Sequence, residues 1–382
     1  MLRKIAFVVG NRAHFARVRP IIKYLPDNSY RIIVFEAAAI QDHGGVLDEI
    51  NKITNNVSVL YTNISGSNLL TMTKSTGLAV IDLAVELVHD RPDVVVVIAD
   101  RYEALAAAIA ARYMNISLAH IQGGEITGSI DDSVRHAITK FANLHFVSNK
   151  DCAKRVIKMG EDKKNVFVTG CPTIDICRRL PKNDPKEIFI SKDSGDYEKR
   201  FILGDNYLLV SFHPVTTEKN IIENVRNFRV LLEAIKIIGL QTIWMYPNID
   251  AGGDILRKEI LNFKSMDKVG KIHFFKHFNA DDYLLLIKNS KCIVGNSSVG
   301  IRESSFLGVP SVNVGNRQIG RLRCQNVIDC SMDKNKIINA IRKQLIHGKY
   351  KRNEYYGDGS AGKKIASILE KVELEFEKRM TY

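Results

Sequence analysis

The chain has 382 residues, enough for two domains of ordinary size. Its 45% hydrophobic and 25% charged residues are the composition of a globular protein, which excludes a largely disordered chain. Fifty-five Lys and Arg against 42 Asp and Glu leave a formal charge of +13, favouring an anionic partner: nucleic acid, an acidic membrane face or a phosphorylated small molecule.

The opening MLRKIAFVVGNR is basic, but its apolar run is too short for a signal peptide and lacks a small-residue cleavage site. The most apolar runs, VVVVIA at 94–99 and ALAAAIAA at 104–111, fall well short of the roughly 20 residues that cross a bilayer. A soluble, cytoplasmic protein without membrane contact is expected. Cys152, Cys171, Cys177, Cys292, Cys324 and Cys330 form no C-x-x-C pair, so reduced thiols and no cysteine-bound metal are expected.

In chain order, KIAFVVG reads as a strand ending at Gly10, followed by a helix from about Phe15 to Leu25. YRIIVFEA, DVVVVIA, SLAHI, LHFVS and NVFVTG follow as strands, and Tyr102–Asn115 and Ser133–Asn143 carry helical spacing between them. Continuously apolar strands alternating with helices predict a parallel sheet covered on both faces. The rhythm breaks between Pro172 and Asp205, where Pro181, Pro185 and the polar run SKDSGDYEKR mark a linker and the helix leading into a second domain. A second α/β run comprises YLLVSF, a long helix near Glu218–Ile238, then TIWMY, KIHFF, KCIVG, SVNVG and NVID. After the basic loop KYKRNEYYGDGSAG, a helix over Lys363–Lys378 closes the chain. The expected fold is α/β: two doubly wound Rossmann-like domains facing a cleft, with sites at the carboxyl ends of the strands. An N-terminal domain over 1–175, a linker over 176–205 and a C-terminal domain over 206–359 are expected.

Polar groups cluster at those strand ends. In GNRAHFARVRP, Gly10 and the helix start can receive an anion and Arg12 adds fixed positive charge; a glycine-ended strand with a solvated arginine fits equally. Asp100 and Arg101 end the valine-rich strand at the mouth of the expected cleft, although Asp100 also suits the N-cap of the next helix. HIQGGEITGSIDDSVRHAITK, from His120 to Lys140, is the densest stretch. Its glycine pair allows a sharp turn, and Glu125, Asp131 and Asp132 crowd one loop and helix start. Neighbouring carboxylates raise one another's pKa, so one can act as acid and another as base; a plain N-cap at Asp131 or Asp132 is the alternative.

In the second half, His213 of SFHP ends a strand, and YPNIDAGGD places Asn248 and Asp250 ahead of a glycine pair. GNSSVGIRESSFLGVPSVNVGNR carries the sharpest signal. A strand ends at Gly295, and Asn296, Ser297 and Ser298 open a helix whose N–H groups form an uncharged cradle for phosphate oxygens. Glu303 can accept hydrogen bonds from a ribose diol, and Arg317 completes the charge balance without a metal. A serine N-cap with an exposed glutamate is the plainer reading. No nucleic-acid motif accompanies the basic charge.

With these motifs, the sequence resembles the hydrolysing UDP-N-acetylglucosamine 2-epimerase family of sialic-acid-type sugar synthesis. The resemblance is strongest over IADRYEALAAAIAARYMNISLAHIQGGEITGSIDDSVRHAITKFANLHFVS and VGNSSVGIRESSFLGVPSVNVGNRQIGRLR. It implies a GT-B fold whose last helix, within 360–382, crosses back onto the first domain. It also implies a UDP-sugar substrate, no metal or other cofactor, and a homo-oligomer, dimer or tetramer. Ser297, Ser298 and Gly300 of the GNSS-x-G motif are implied at the phosphates and Glu303 at the ribose, with Arg12 and Arg317 nearby. Asn248 and His277 are implied to line the nucleotide or sugar, and Asp100, Asp131 and His213 to surround the sugar. Two departures stand out: Gln122 occupies a position where many relatives carry Glu, and His14 one where an acid is common. A glutamine takes up no proton, so the base falls to Asp100, Glu125 or Asp131. The departures point to a subgroup acting on a modified sugar, such as a 2,4-diacetamido-2,4,6-trideoxyhexose nucleotide. A non-hydrolysing 2-epimerase and a GT-B glycosyltransferase are the alternatives.

Overall fold

The central apolar runs form strands buried on both faces, whereas Val166–Val168, Ile272–Phe275 and Val327–Cys330 at the sheet edges are only partly buried. The computed structural model describes residues 2–37, 46–64, 68–128, 130–181, 187–189, 200–202, 206–215, 221–247, 252–266, 270–276 and 278–381. They fall into two units, Met1–Ile126 with Ile130–Arg178 and Tyr356–Tyr382, and Thr127–Ser129 with Arg179–Tyr355.

In the first unit the strands are β1 (Ile5–Val9), β2 (Tyr30–Ala37), β3 (Val57–Asn63), β4 (Val94–Ile98), β5 (Ser117–Ile121), β6 (Leu144–Val147) and β7 (Val166–Val168). They pair in the order β3-β2-β1-β4-β5-β6-β7, and every pairing is parallel. The helices between them are α1 (Arg12–Ile22), α2 (Val46–Asn51), α3 (Leu69–His89), α4 (Tyr102–Tyr113), α5 (Ile130–Phe141) and α6 (Lys150–Lys158), with α7 (Thr173–Arg179) after β7. Alternate residues of one strand serve opposite layers. Phe7, Val9 and Val96 pack with Phe15, Val18 and Ile21 on one face, and Ala6, Val8 and Val95 with Leu83, Ala107 and Ala111 on the other. Such double coverage makes the strands continuously apolar.

The second unit opens with an antiparallel pair, β8 (Glu187–Phe189) and β9 (Arg200–Ile202), inside the stretch expected as linker. Its main sheet contains β10 (Tyr207–Ser211), β11 (Gln241–Met245), β12 (Ile272–Phe275), β13 (Cys292–Gly295), β14 (Ser311–Val314) and β15 (Val327–Cys330). These lie parallel in the order β12-β11-β10-β13-β14-β15. The helices are α8 (Ile221–Ile238), α9 (Gly253–Met266), α10 (Ala280–Asn289), α11 (Arg302–Leu307) and α12 (Lys334–His347). Trp244, Phe228 and Leu231 centre the core beneath this sheet. The expected α/β class, two doubly wound Rossmann-like units, is the observed one.

The last helix, α13 (Ala361–Lys371), returns to the first unit, where Ile365, Ala366 and Leu369 join the core beside α1. A distant carboxylate starts it. The buried Asp175 of α7 accepts from the N–H groups of Ala361 at 2.9 Å and Gly362 at 2.8 Å, two donors a helix start leaves unpaired. Gly362 has to be a glycine, because a Cβ there would meet the Pro20 carbonyl oxygen at 2.3 Å. The helix ends at Lys371 rather than at the expected Lys378, since the following residues bond to the surface of the first unit instead of continuing the turn. Among the described residues no helix is long and apolar enough to cross a membrane, and no group of His, Cys, Asp and Glu is set to hold a metal.

Candidate functional site

Each main sheet has one switch point, where connections leave in opposite directions: between β1 and β4 in the first unit, and between β10 and β13 in the second. Loops at the carboxyl ends of such strands are where open α/β sheets bind ligands. The described residues among those singled out in the sequence fall into two groups, one in or beside the loops at each point.

In the first unit, Asn11 caps α1 by accepting from the His14 N–H at 2.9 Å. The Gly10 N–H donates to Nδ1 of His14 at 3.2 Å, so it is already occupied within the loop. Burial, reinforced by Arg101 and Arg17, pushes the His14 pKa down to about 3. The ring is therefore neutral, with its proton on Nε2. Arg12 opens α1 and pairs with Glu49 at 3.6 Å. Beneath Gly10 lies Glu103, fully buried, whose carboxylate accepts from Arg101 at 3.1 Å. A Cβ on Gly10 would stand 2.8 Å from that carboxyl carbon, so any larger residue would force the Glu103 side chain to move.

Ala99, just after β4, has a φ of 60°, a conformation L-residues rarely adopt. Asp100 follows. The N-cap position of α4 is Arg101, and Asp100 instead forms an ion pair with Arg135 of α5. Arg135 is 1% exposed and gathers the acidic stretch around itself. It donates to the Glu125 carbonyl at 2.8 Å and also pairs with Asp132. Burial works against its charge, but Asp100, Glu125 and Asp132 outweigh it and hold the guanidinium above its usual range. Glu125 is buried and accepts from the Ser148 hydroxyl at 2.6 Å. Asp131 sits in the first turn of α5, half-buried.

Gln122 has a φ of 68° and is 1% exposed. Its amide donates to Sγ of Cys171 at 3.0 Å, and its Oε1 accepts no hydrogen bond. A buried amide oxygen left unsatisfied costs roughly 1–3 kcal/mol, which marks the position as one where a ligand donor would be welcome.

In the second unit, Asn296 braces the end of β10. Its side chain accepts from the His213 N–H at 2.8 Å and donates to the His213 carbonyl at 2.8 Å. Its own carbonyl accepts from Arg317 and Gln318, each at 3.2 Å. Gly295 permits the approach, since a Cβ there would meet the Ser211 carbonyl oxygen at 2.1 Å. The helix expected to begin at Asn296 is instead a single 3₁₀ turn, Ser298–Gly300, followed by the six-residue α11. Gly300 N–H and Ile301 N–H are used inside that turn, and so short a helix adds little dipole. Charge comes instead from Arg302, whose Nη2 donates to the Ser298 hydroxyl at 3.0 Å. Glu303 is 2% exposed, not exposed as in the plainer reading; its Oε2 accepts no hydrogen bond, with Nε of Arg302 3.7 Å away. Asn248, Asp250 and His277 lie outside the described residues.

Sequence reasoning overlooked Arg135, Glu103 and Arg302. Each was visible as a charge beside a chosen motif: Arg135 three residues after Asp132, Glu103 two after Arg101, and Arg302 next to Glu303.

The family described as UDP-N-acetylglucosamine 2-epimerase matches this sequence over residues 26–370. The chain belongs to the UDP-N-acetylglucosamine 2-epimerase family. Within it, the chain is 34% identical to the GDP/UDP-N,N'-diacetylbacillosamine 2-epimerase (hydrolyzing) of Campylobacter jejuni, over 87% of this chain and 85% of that protein. It is 31% identical to the UDP-N,N'-diacetylbacillosamine 2-epimerase (hydrolyzing) of Legionella pneumophila, over 98% and 97%. The UDP-GlcNAc 2-epimerase of Methanocaldococcus jannaschii, crystallised with UDP-GlcNAc and UDP, superposes with a TM-score of 0.77 at 20% identity, covering 96% of this chain and 99% of that one. That likeness carries the fold, which is GT-B-like.

Proposed function

We propose that the protein is a hydrolysing 2-epimerase of a UDP-linked 2-acetamido sugar, acting in the cytoplasm in sialic- or legionaminic-acid-type synthesis. Membership of the 2-epimerase family carries the reading, and the two residue groups at the switch points support it. In this reading Ser297, Ser298 and Gly300 hold the diphosphate, Glu303 takes the ribose hydroxyls through its unsatisfied oxygen, and Arg12 and Arg317 neutralise charge. Because Arg302 donates to the Ser298 oxygen, the serine proton is left to point at a phosphate oxygen. Asn296 fixes the main chain of His213, assigned to the sugar, and Asn248, Asp250 and His277 are assigned to the nucleotide or sugar.

The C2 proton of the sugar is weakly acidic, so its removal has to be coupled to departure of the leaving group. Asp100 takes that proton, the C1–O bond breaks with its electrons going to UDP, and a 2-acetamidoglucal remains. Water then adds its oxygen to C1, and a proton returns to C2 from the opposite face, with Asp131 or Glu125 as the second acid/base group. Arg101 and Gln122 orient the sugar. The product is a free sugar inverted at C2. A 2,4-diacetamido-2,4,6-trideoxyhexose is the favoured substrate, on the strength of Gln122 and the two relatives named for bacillosamine; UDP-GlcNAc, giving N-acetylmannosamine, is the other.

Incubation with each UDP-sugar alone is expected to release UDP together with the free, C2-inverted sugar. A mixture of UDP-sugars with no free UDP identifies a non-hydrolysing epimerase, and intact substrate awaiting an acceptor identifies a transferase. The phosphate cradle gives a further test. Ser298→Leu fills the space above the turn and is expected to weaken UDP binding about tenfold, roughly 1.4 kcal/mol, in calorimetry. Unchanged affinity would place the nucleotide elsewhere. A homo-oligomer is also proposed, supported by the exposed apolar row Leu78, Ile81, Val85 and Val88 on α3.

A further inference from the structure

Lys378 lies far from both residue groups in the sequence, yet it reaches the end of the helix that carries one of them. Its ammonium donates to the carbonyls of Thr139 at 3.0 Å, Lys140 at 2.8 Å and Ala142 at 2.6 Å, at the C-terminus of α5. It also pairs with Glu161 at 2.5 Å. The last carbonyls of a helix have no partner within it and concentrate negative charge, so a partly buried cation there satisfies both. Glu161 is itself buried and further held by Lys140 at 2.7 Å and His145 at 3.0 Å. Burial alone would raise its pKa, but these three partners bring it down to about 2.

The segment around Lys378 is tied along its length. The Glu375 carbonyl accepts from the Ser117 hydroxyl at 3.2 Å, its carboxylate from Lys164 at 2.8 Å, and the Phe376 carbonyl from Arg112. The Thr381 N–H donates to the Gly160 carbonyl at 3.1 Å. From α5, two routes lead to Asp100. Arg135 forms the ion pair directly, while Thr139 bonds Nδ1 of His120 at 3.1 Å and His120 Nε2 bonds the Ala99 carbonyl at 2.8 Å, next to Asp100.

We propose that Lys378 is a positioning residue: the C-terminal segment clamps α5 through it, and α5 in turn fixes the Asp100–Arg135 pair for turnover. The inference rests on the epimerase reading for its kinetics and on α5 alone for its structure. Without the clamp, α5 loses its C-terminal partners and frays, and the strained turn at Ala99 relaxes. The nucleotide residues of the second unit are untouched.

Lys378→Met keeps the stem and removes the charge. It is expected to lower kcat about tenfold or more, the scale of a small misplacement of a reacting group, with calorimetric UDP affinity within about twofold of the parent. Amide hydrogen exchange should rise over α5 and the 117–121 strand and stay constant in the second unit. Lys378→Arg, which keeps charge and donors, should recover most of the loss. If Lys378→Met fails to fold, Lys378→Gln, with two N–H donors on a shorter stem, reads the same quantities. A folded variant with parental kcat and parental exchange over α5 overturns the proposal, as does a rise in exchange spread evenly over both units. Should the parent protein turn over no UDP-sugar, the function proposed above fails, and the exchange measurement alone decides the clamp.

Discussion

Asp100→Asn is expected to reduce turnover by roughly 10²-fold or more, the usual scale for losing a general acid or base, while UDP affinity changes little. The change is nearly isosteric, so the loop keeps its shape and the Arg135 guanidinium keeps an oxygen to donate to. What is lost is an oxygen able to take up the C2 proton. The position suits a base, because Asp100 follows a positive-φ alanine at the end of a fully buried strand and its orientation is set by a buried arginine. In deuterated water the parent reaction should place solvent deuterium at C2 of the product, observable by mass spectrometry. A product without it would exclude elimination and re-addition, whatever the rate of the variant. Full activity in Asp100→Asn would instead move the base to Glu125 or Asp131.

The architecture was legible because it is written locally. Six of the seven strands in the first unit are mainly apolar runs. The exception, β3, is an edge strand in which Ser58, Tyr61 and Thr62 interrupt the pattern. Asp100, Glu125 and Ser298 could be found because a charge or hydroxyl within a few residues of the end of an apolar strand lies in the loops at its carboxyl end. What neutralises them could not. Arg135 meets Asp100 across 35 residues, and Lys378 meets Thr139 across 239. A buried charge is tolerated only beside its partner, and that partner is chosen by the fold. The helix expected at Asn296 shows the reverse limit. Serines and a glycine suit a helix start, but Gly300 packs 2.9 Å from the Ser311 hydroxyl, measured to the Cβ it lacks, and the chain tightens into a 3₁₀ turn.

Acidification is expected to destabilise the first unit well before its carboxylates titrate. His14 and His120 are both buried and both pushed from 6.5 down to about 3. Burial is the main cause in each. Arg101 and Arg17 add to it at His14, whereas at His120 the Ala99 hydrogen bond opposes it and His145 and Arg135 reinforce it. Both rings stay neutral in the fold, and His120 is locked as the Nε2–H tautomer by its bond to the Ala99 carbonyl. An unfolded chain protonates them near 6.5. A folded pKa below the unfolded one means that stability is full above pH 6.5 and falls as the pH drops from there toward 3. The slope is about 1.4 kcal/mol per pH unit per histidine, so the pair removes about 4 kcal/mol between pH 7 and 5. His145 and His136, lowered chiefly by burial, act in the same direction. Urea unfolding across this range should show the decline, and His120→Gln or His14→Asn should each flatten it by an appreciable share. A flat profile from pH 7 to 5 would mean that these rings carry charge inside the folded protein, and the neutral hydrogen-bonded path from Thr139 to Ala99 would have to be abandoned.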